Sequence, residues 1–266
     1  MRQGRMGFLA FLLVALGWFE FLQPLPARGL AYRARDLFDP RPARRILVLG
    51  NSRTYYHDMP DMLRAMADAS GDQRKLEITV DALPGASFES LWQDGPTQKL
   101  LGQRWDDVVL QGESRAQASE TLAHSFQDYG ERLIRAARGT SGRQWLIVNW
   151  NYDASMWQGS DPDGSGHAAY GAATQSATLA LAERTGAKVV NVGRVWAGVE
   201  GGYPEIGLTQ DGNHPTLAGS YLFGLVLYSA LSGTDADRIG WRPDQLDEAR
   251  ALPLRQEAAS FQVAGG

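Results

Sequence analysis

The chain has 266 residues, room for one large domain or two small ones with a sizeable core, and its 44% apolar and 21% charged residues are ordinary for a globular protein. It contains no cysteine, which excludes a disulfide, a thiolate metal site and a thiol nucleophile. The net charge is −4, split as +5 on residues 1–45 and −9 on the remainder; so acidic a body is unsuited to tracking nucleic-acid phosphates.

The N-terminus reads as a targeting segment. Arg2 and Arg5 precede the apolar run MGFLAFLLVALGWFEFL at 6–22, at the short end of what crosses a bilayer. Glu20 is costly at mid-membrane and tolerable at an interface. Small residues follow at Ala27 and Ala31, where a cleavage site fits. The expectation is export to the periplasm or outside, with residues 1–31 a cleaved signal peptide or an inner-membrane anchor. The alternative is a buried N-terminal helix. Residues 32–44, polar and proline-bearing, are expected to be a linker to a folded domain at 45–266.

Within that domain, short apolar runs alternate with segments of helical period. Strands are expected at Ile46–Leu49, Leu76–Val80, Val108–Gln111, Trp145–Asn149 and Val189–Val192. Helices are expected at Pro60–Ala69, Phe88–Leu101, Phe126–Ala137, Ala169–Arg184 and Thr216–Leu231. The tail from Arg238 is polar, with room for one short helix before QVAGG. The rhythm implies an α/β fold with a mostly parallel sheet of about five strands and helices on both faces. The uninterrupted apolar strands suit a sheet covered on both sides.

In such sheets the working groups gather past the carboxyl ends of the strands. The first strand is followed by Gly50-Asn51-Ser52, the second by ALPGAS, the third by LQGES, the fourth by NWNYD, and a later stretch reads TQDGNHPTLAGSYL. A serine at a strand end entering a turn exposes its hydroxyl at the sheet rim, but needs a base. Of the four histidines, His214 follows Asp211 by three positions, so one turn can hold the carboxylate on one ring nitrogen while the other faces Ser52. The competing reading is that Asp211 and Asn213 only cap the next helix, with Pro215 as its first residue.

VLGNSRT, PGAS, LQGES and DGNHPTLAGSYL, in that order over residues 44 to about 232, together resemble the SGNH (GDSL-like) hydrolase family. The resemblance implies a flavodoxin-like three-layer α/β/α fold and esterase-type acyl transfer without a metal or organic cofactor. It makes Ser52 the nucleophile, His214 the base and Asp211 its partner, with the backbone N–H groups of Ser52 and Gly85 as oxyanion donors. Two positions depart from the pattern. Asn51 stands where many members have aspartate, and the third block lacks its usual asparagine. Gln111, in preference to Ser114, is expected to supply the missing amide, and Glu113 to point away from an oxyanion.

The remaining motifs are weaker. SDPDGSGH at 160–167 is spaced like a calcium loop but lacks the later glutamate, and is read as a surface turn. His57 lies near enough to Ser52 to be a substrate contact or a surface residue. His124 and His167 are read as exposed. Trp150, Asn151 and Tyr152 either form a sugar-stacking rim or pack over the sheet edge. Trp92, Trp105 and Trp157 are read as core or cover. The functional expectation is a serine esterase acting on acetyl or other small acyl esters, on a glycan or a small molecule. The alternatives are an O-acyltransferase of an exported polysaccharide and a non-catalytic carbohydrate-binding module.

Overall fold

A computed structural model describes residues 38–157 and 165–263. The proposed targeting segment at 1–31 with its apolar run, residues 32–37 of the proposed linker, Ser160–Gly164 of the calcium-like turn and the last three residues lie outside them. Among the described residues no helix is long and apolar enough to cross a membrane.

Five parallel strands form one sheet: β1 (Ala43–Gly50), β2 (Lys75–Ala82), β3 (Trp105–Gln111), β4 (Ser141–Val148) and β5 (Lys188–Asn191), in the order β2-β1-β3-β4-β5. This is the flavodoxin-like order, in which the chain winds outward in both directions from β1. The switch point lies between β1 and β3, and Ser52 and Gln111 stand at the ends of those two strands. β1 begins at Ala43, inside the segment read as linker, because Ala43 and Arg44 already pair with Lys75 and Leu76.

Alternation along each strand feeds two cores. Ile46 and Val48 face one side with Ile78, Val109 and Ile147. Leu47 and Leu49 face the other with Val108, Leu110 and Leu146. The first layer is covered by α2 (Met59–Ala69), α7 (Val192–Gly202), α8 (Leu217–Ser232) and α9 (Glu248–Val263). The second is covered by α3 (Phe88–Gln93), α5 (Glu120–Arg138) and α6 (Ser165–Thr185). α8 is buried around most of its circumference, which explains why its sequence, LAGSYLFGLVLYSALS, has no polar face.

Three elements differ from the sequence expectation. The helix expected at Phe88–Leu101 is two, because Asp94 leaves helical geometry and its carboxylate caps the start of α4 (Gly95–Leu101) at Thr97 N–H. α7 was not expected: β5 stops at Asn191, whose side chain accepts from Arg194 N–H and caps the new helix. The C-terminal helix is 16 residues long and packs Ala251, Leu254 and Ala258 into the first core.

At the amino end of the strands, remote from Ser52, Asp107 is fully buried and carries three donors. Arg44 Nε lies at 2.7 Å, Arg143 Nε at 2.8 Å and Trp145 Nε1 at 2.8 Å. A buried carboxylate so surrounded fixes the register of β1, β3 and β4; removing a partner from such a group costs about 3–5 kcal/mol.

Candidate active site

The site starts at the end of β1. Asn51 leaves the strand extended and opens a four-residue helix, α1 (Ser52–Tyr55). Its side-chain oxygen accepts from Arg53 N–H at 3.1 Å and its carbonyl from Thr54 N–H at 2.9 Å. Its amide donates to Ala86 O at 3.1 Å and Gly112 O at 3.4 Å. One side chain thus ties the serine turn to the loops after β2 and β3, and an aspartate could not donate those last two bonds. The N–H of Ser52 is left without a described partner.

The histidine arrives on a closed loop. Thr209 bridges Pro215, Gln210 N–H donates to His214 O at 3.0 Å, and Thr216 N–H donates to Leu208 O at 2.8 Å. Gly212 takes φ +79°, where a side chain would also collide with Met156. Asp211 turns its carboxylate inward to accept from Asn213 N–H at 3.0 Å and His214 N–H at 2.6 Å through one oxygen. The other oxygen meets His214 Nδ1 at 2.6 Å. A carboxylate only accepts, so Nδ1 carries the proton and Nε2 is the free base. Thr216, not Asp211 or Asn213, caps α8, receiving Gly219 N–H at 3.2 Å; the capping alternative is therefore set aside.

Ser52 Oγ lies 2.9 Å from His214 Nε2, although 162 positions separate the two residues. Partial burial works against ionisation of Asp211, but the hydrogen bonds from His214 and Asn213 hold its carboxyl below the usual carboxylate range. Tyr56 stacks on the imidazole at 4.6 Å between centroids, and Ser220 on α8 fixes the Tyr56 carbonyl at 3.0 Å. After Tyr56, His57 and Asp58 both adopt left-handed backbone, which turns the chain into α2. His57 is exposed there.

Gly85 sits in a tight turn, φ +66°, closed by Ala86 N–H to Leu83 O at 3.1 Å. Its own N–H has no described partner. Ala86 is the residue that Asn51 anchors, so the turn borders the serine.

Gln111 does not aim its amide at the cleft. It is fully buried, and its Oε1 accepts Asn51 N–H at 3.0 Å and Thr54 Oγ1–H at 2.9 Å. Its Nε2 donates to Asn149 Oδ1 at 3.1 Å and to Gly112 O. Both amide hydrogens are consumed, so the residue braces the serine turn from beneath, contrary to the expected oxyanion role. The alternative, Ser114, shares a 2.7 Å hydrogen bond with Tyr152 OH. Glu113 is buried against the start of α3, with Oε2 at 3.4 Å from Phe88 N–H, and burial raises its pKa.

The most informative residue is one the sequence reading passed over. Arg53 is 1% exposed, its guanidinium lying 4.6 Å from the Trp150 ring centroid and 5.1 Å from that of Tyr152. It donates to Trp150 O at 2.7 Å and, through Nε and an Nη, to Asn213 Oδ1 at 3.0 and 2.8 Å. Burial lowers its pKa to about 10, and it stays charged at neutral pH. Nothing in NSRTYY distinguishes this arginine from an exposed one.

Trp150 takes the packing alternative rather than the rim: it is buried and stacks on Trp196 at 4.2 Å. Asn151 is tied to His167 O, and His167, read as exposed, is half-buried with Nε2 at 2.6 Å from Tyr152 O. His124 is exposed beside Glu120, and Trp105 is core. Among the described residues no cluster of histidine and carboxylate side chains could hold a metal.

No family model and no curated protein matches the chain. Solved structures do. A DUF4886 family protein from Bacteroides uniformis superposes with TM-score 0.67 at 15% identity, over 83% of this chain and 95% of that one. A candidate SGNH hydrolase from Slackia heliotrinireducens is 28% identical, with TM-score 0.59 over 71% of this chain and all of its own. Axe2, an acetylxylan esterase from Geobacillus stearothermophilus, reaches TM-score 0.54 at 14% identity, over 72% of this chain and 95% of its own.

Proposed function

We propose that this chain, whose fold is that of the SGNH-like hydrolases, is a serine esterase with Ser52 as nucleophile, His214 as base and Asp211 as the group that orients it. The observation that carries the reading is the 2.9 Å contact between Ser52 Oγ and a ring nitrogen whose opposite nitrogen is held by a carboxylate.

In the proposed reaction Ser52 Oγ attacks an ester carbonyl as His214 Nε2 removes its proton. The developing oxyanion is met by the N–H groups of Ser52 and Gly85. Collapse of the adduct breaks the bond to the alcohol oxygen, which takes the proton from His214. Water, activated by the same imidazole, then releases the acid. Each oxyanion donor of this kind is worth about 10²–10³ in rate.

The substrate proposed is a small acyl ester, acetyl first, carried on a carbohydrate. Axe2, of the same fold, is an acetylxylan esterase, which makes acetylated oligosaccharide the substrate to try first. The apolar run at 6–22, flanked by arginines, supports export, and protease accessibility in intact cells tests it.

The test of the esterase reading is turnover of 4-nitrophenyl acetate together with labelling by a serine-directed fluorophosphonate. The expected result is turnover and a single adduct on Ser52, both lost in Ser52→Ala. An inert wild-type protein with Ser52 unlabelled overturns it.

A further inference from the structure

Asn213 is pinned at every polar atom but one. Its N–H is held by Asp211 Oδ1 at 3.0 Å and its carbonyl receives Trp150 Nε1–H at 3.1 Å. Its side-chain oxygen receives two hydrogen bonds from Arg53. A guanidinium only donates, so the atom facing it is the oxygen, and the amide orientation is fixed chemically. The Nδ2 group then points the other way, 3.5 Å from His214 Nε2. That distance is too long for a good hydrogen bond and right for two donors converging on one oxygen placed between them.

We propose that Asn213 Nδ2 donates a hydrogen bond to the substrate oxygen that departs in acylation, and that Arg53 is the residue that positions it. The inference rests on the esterase reading above. When the tetrahedral adduct collapses, the C–O bond breaks and its electron pair stays on the departing oxygen. Nε2–H transfers its proton there, while Nδ2–H steadies the negative charge until the transfer is complete. Water enters along the same path in deacylation. Arg53 never meets the substrate: it is buried between Trp150 and Tyr152, and a charge-assisted pair of bonds to one amide oxygen holds the amide at a single angle. The site thereby gains a side-chain amide from the histidine loop, in place of the third-block amide that Gln111 spends on the scaffold.

The experiment compares two acetyl esters, one with 4-nitrophenol as leaving group and one with an aliphatic alcohol. Nitrophenolate leaves without help, whereas an alkoxide needs stabilisation and a proton. Asn213→Ala should lower kcat/KM for the alkyl ester by about 10²-fold, with at most a several-fold loss on the nitrophenyl ester. Arg53→Lys, which keeps the charge but cannot grip the amide oxygen twice, should show the same imbalance to a smaller degree. Asn213→Asp retains the bond to Arg53, and so guards against a variant of Asn213 that does not fold. An active wild type whose Asn213 variants lose equally on both esters, or lose nothing, overturns this assignment alone. A wild type inert to both esters overturns the esterase reading and this assignment with it.

Discussion

Tyr56 lies flat against the imidazole of His214, centroids 4.6 Å apart and planes 11° from parallel. The two residues reach this contact from opposite ends of the chain. α8 enforces it, because Ser220 near its start holds the Tyr56 carbonyl. In the proposed reaction, where His214 takes the serine proton, the imidazolium would acquire an aromatic face to rest on, an arrangement worth about 0.5–1 kcal/mol at partly exposed sites. Tyr56→Ala should therefore lower kcat about 2–5-fold with little change in KM, while Tyr56→Phe, which keeps the ring, should retain most of the activity. Steady-state kinetics on 4-nitrophenyl acetate decide it; an unchanged kcat in Tyr56→Ala means the stack is packing only.

Asp211 serves its loop as well as the imidazole, since one oxygen holds two backbone N–H groups and the other holds Nδ1. Asp211→Asn should leave the loop closed but present the wrong donor to Nδ1, lowering kcat by about 10³–10⁴. The carboxyl is held below the ordinary aspartate value of 3.8, so its stabilising effect is complete above that pH and is lost as pH falls through the lower folded value. The side chain is half exposed, so the effect on stability is small, under about 1 kcal/mol. Urea unfolding from pH 7 to pH 2.5 should show the wild type losing this increment and Asp211→Asn lacking it throughout.

Glu113 has the opposite sign. Burial against α3 raises its pKa above the ordinary glutamate value of 4.5. The unfolded chain ionises there first, so stability falls as pH rises from 4.5 toward the folded value. Glu113→Gln keeps an oxygen for Phe88 N–H and removes the charge. The variant should match wild type near pH 4 and be the more stable at pH 7, as chemical denaturation at the two pH values would show. Equal stabilities at pH 7 would mean that the carboxylate is better solvated than its burial implies.

The layered fold was legible because strand runs and helix periods are local. Ile46–Leu49, a short apolar run stopped by Gly50, read as a covered strand, and loop chemistry after each strand marked the rim. Asp211 and His214 could be paired because a short Asp-x-x-His spacing closes one turn, whereas joining Ser52 to them leaned on the resemblance of the strand-end motifs to the SGNH family. What stayed hidden depends on where a side chain points. Gln111 was given an amide role on its position at a strand end, yet Asn51 and Thr54 claim its oxygen and Asn149 its nitrogen, partners that no spacing rule links. Arg53 looked like any surface arginine, and its burial follows from Trp150 and Tyr152, about a hundred residues away. α7 escaped notice because its first residue, Val192, was read as the last of the fifth strand.

Gly50 links scaffold and chemistry. A Cβ on it would run into Thr54 Oγ1 and Gln111 Oε1, the two groups whose hydrogen bond sits under the serine turn. Both obstacles are side-chain atoms, so Gly50→Ala can fold by pushing them aside. Doing so displaces the oxygen that anchors Asn51 N–H, and with it the start of α1. The expected cost is about 1–3 kcal/mol in stability and a disproportionate loss of about 10²-fold in kcat, since a shift near 1 Å in a nucleophile is enough for that. Gly193 supplies the contrast. A Cβ there meets the carbonyl of Asn149, which is backbone at the end of a core strand and cannot yield, so Gly193→Ala should unfold at markedly lower denaturant concentration. Thermal or urea melts run beside the ester assay separate the two. If Gly50→Ala loses stability and keeps its rate, Gln111 does not brace Ser52.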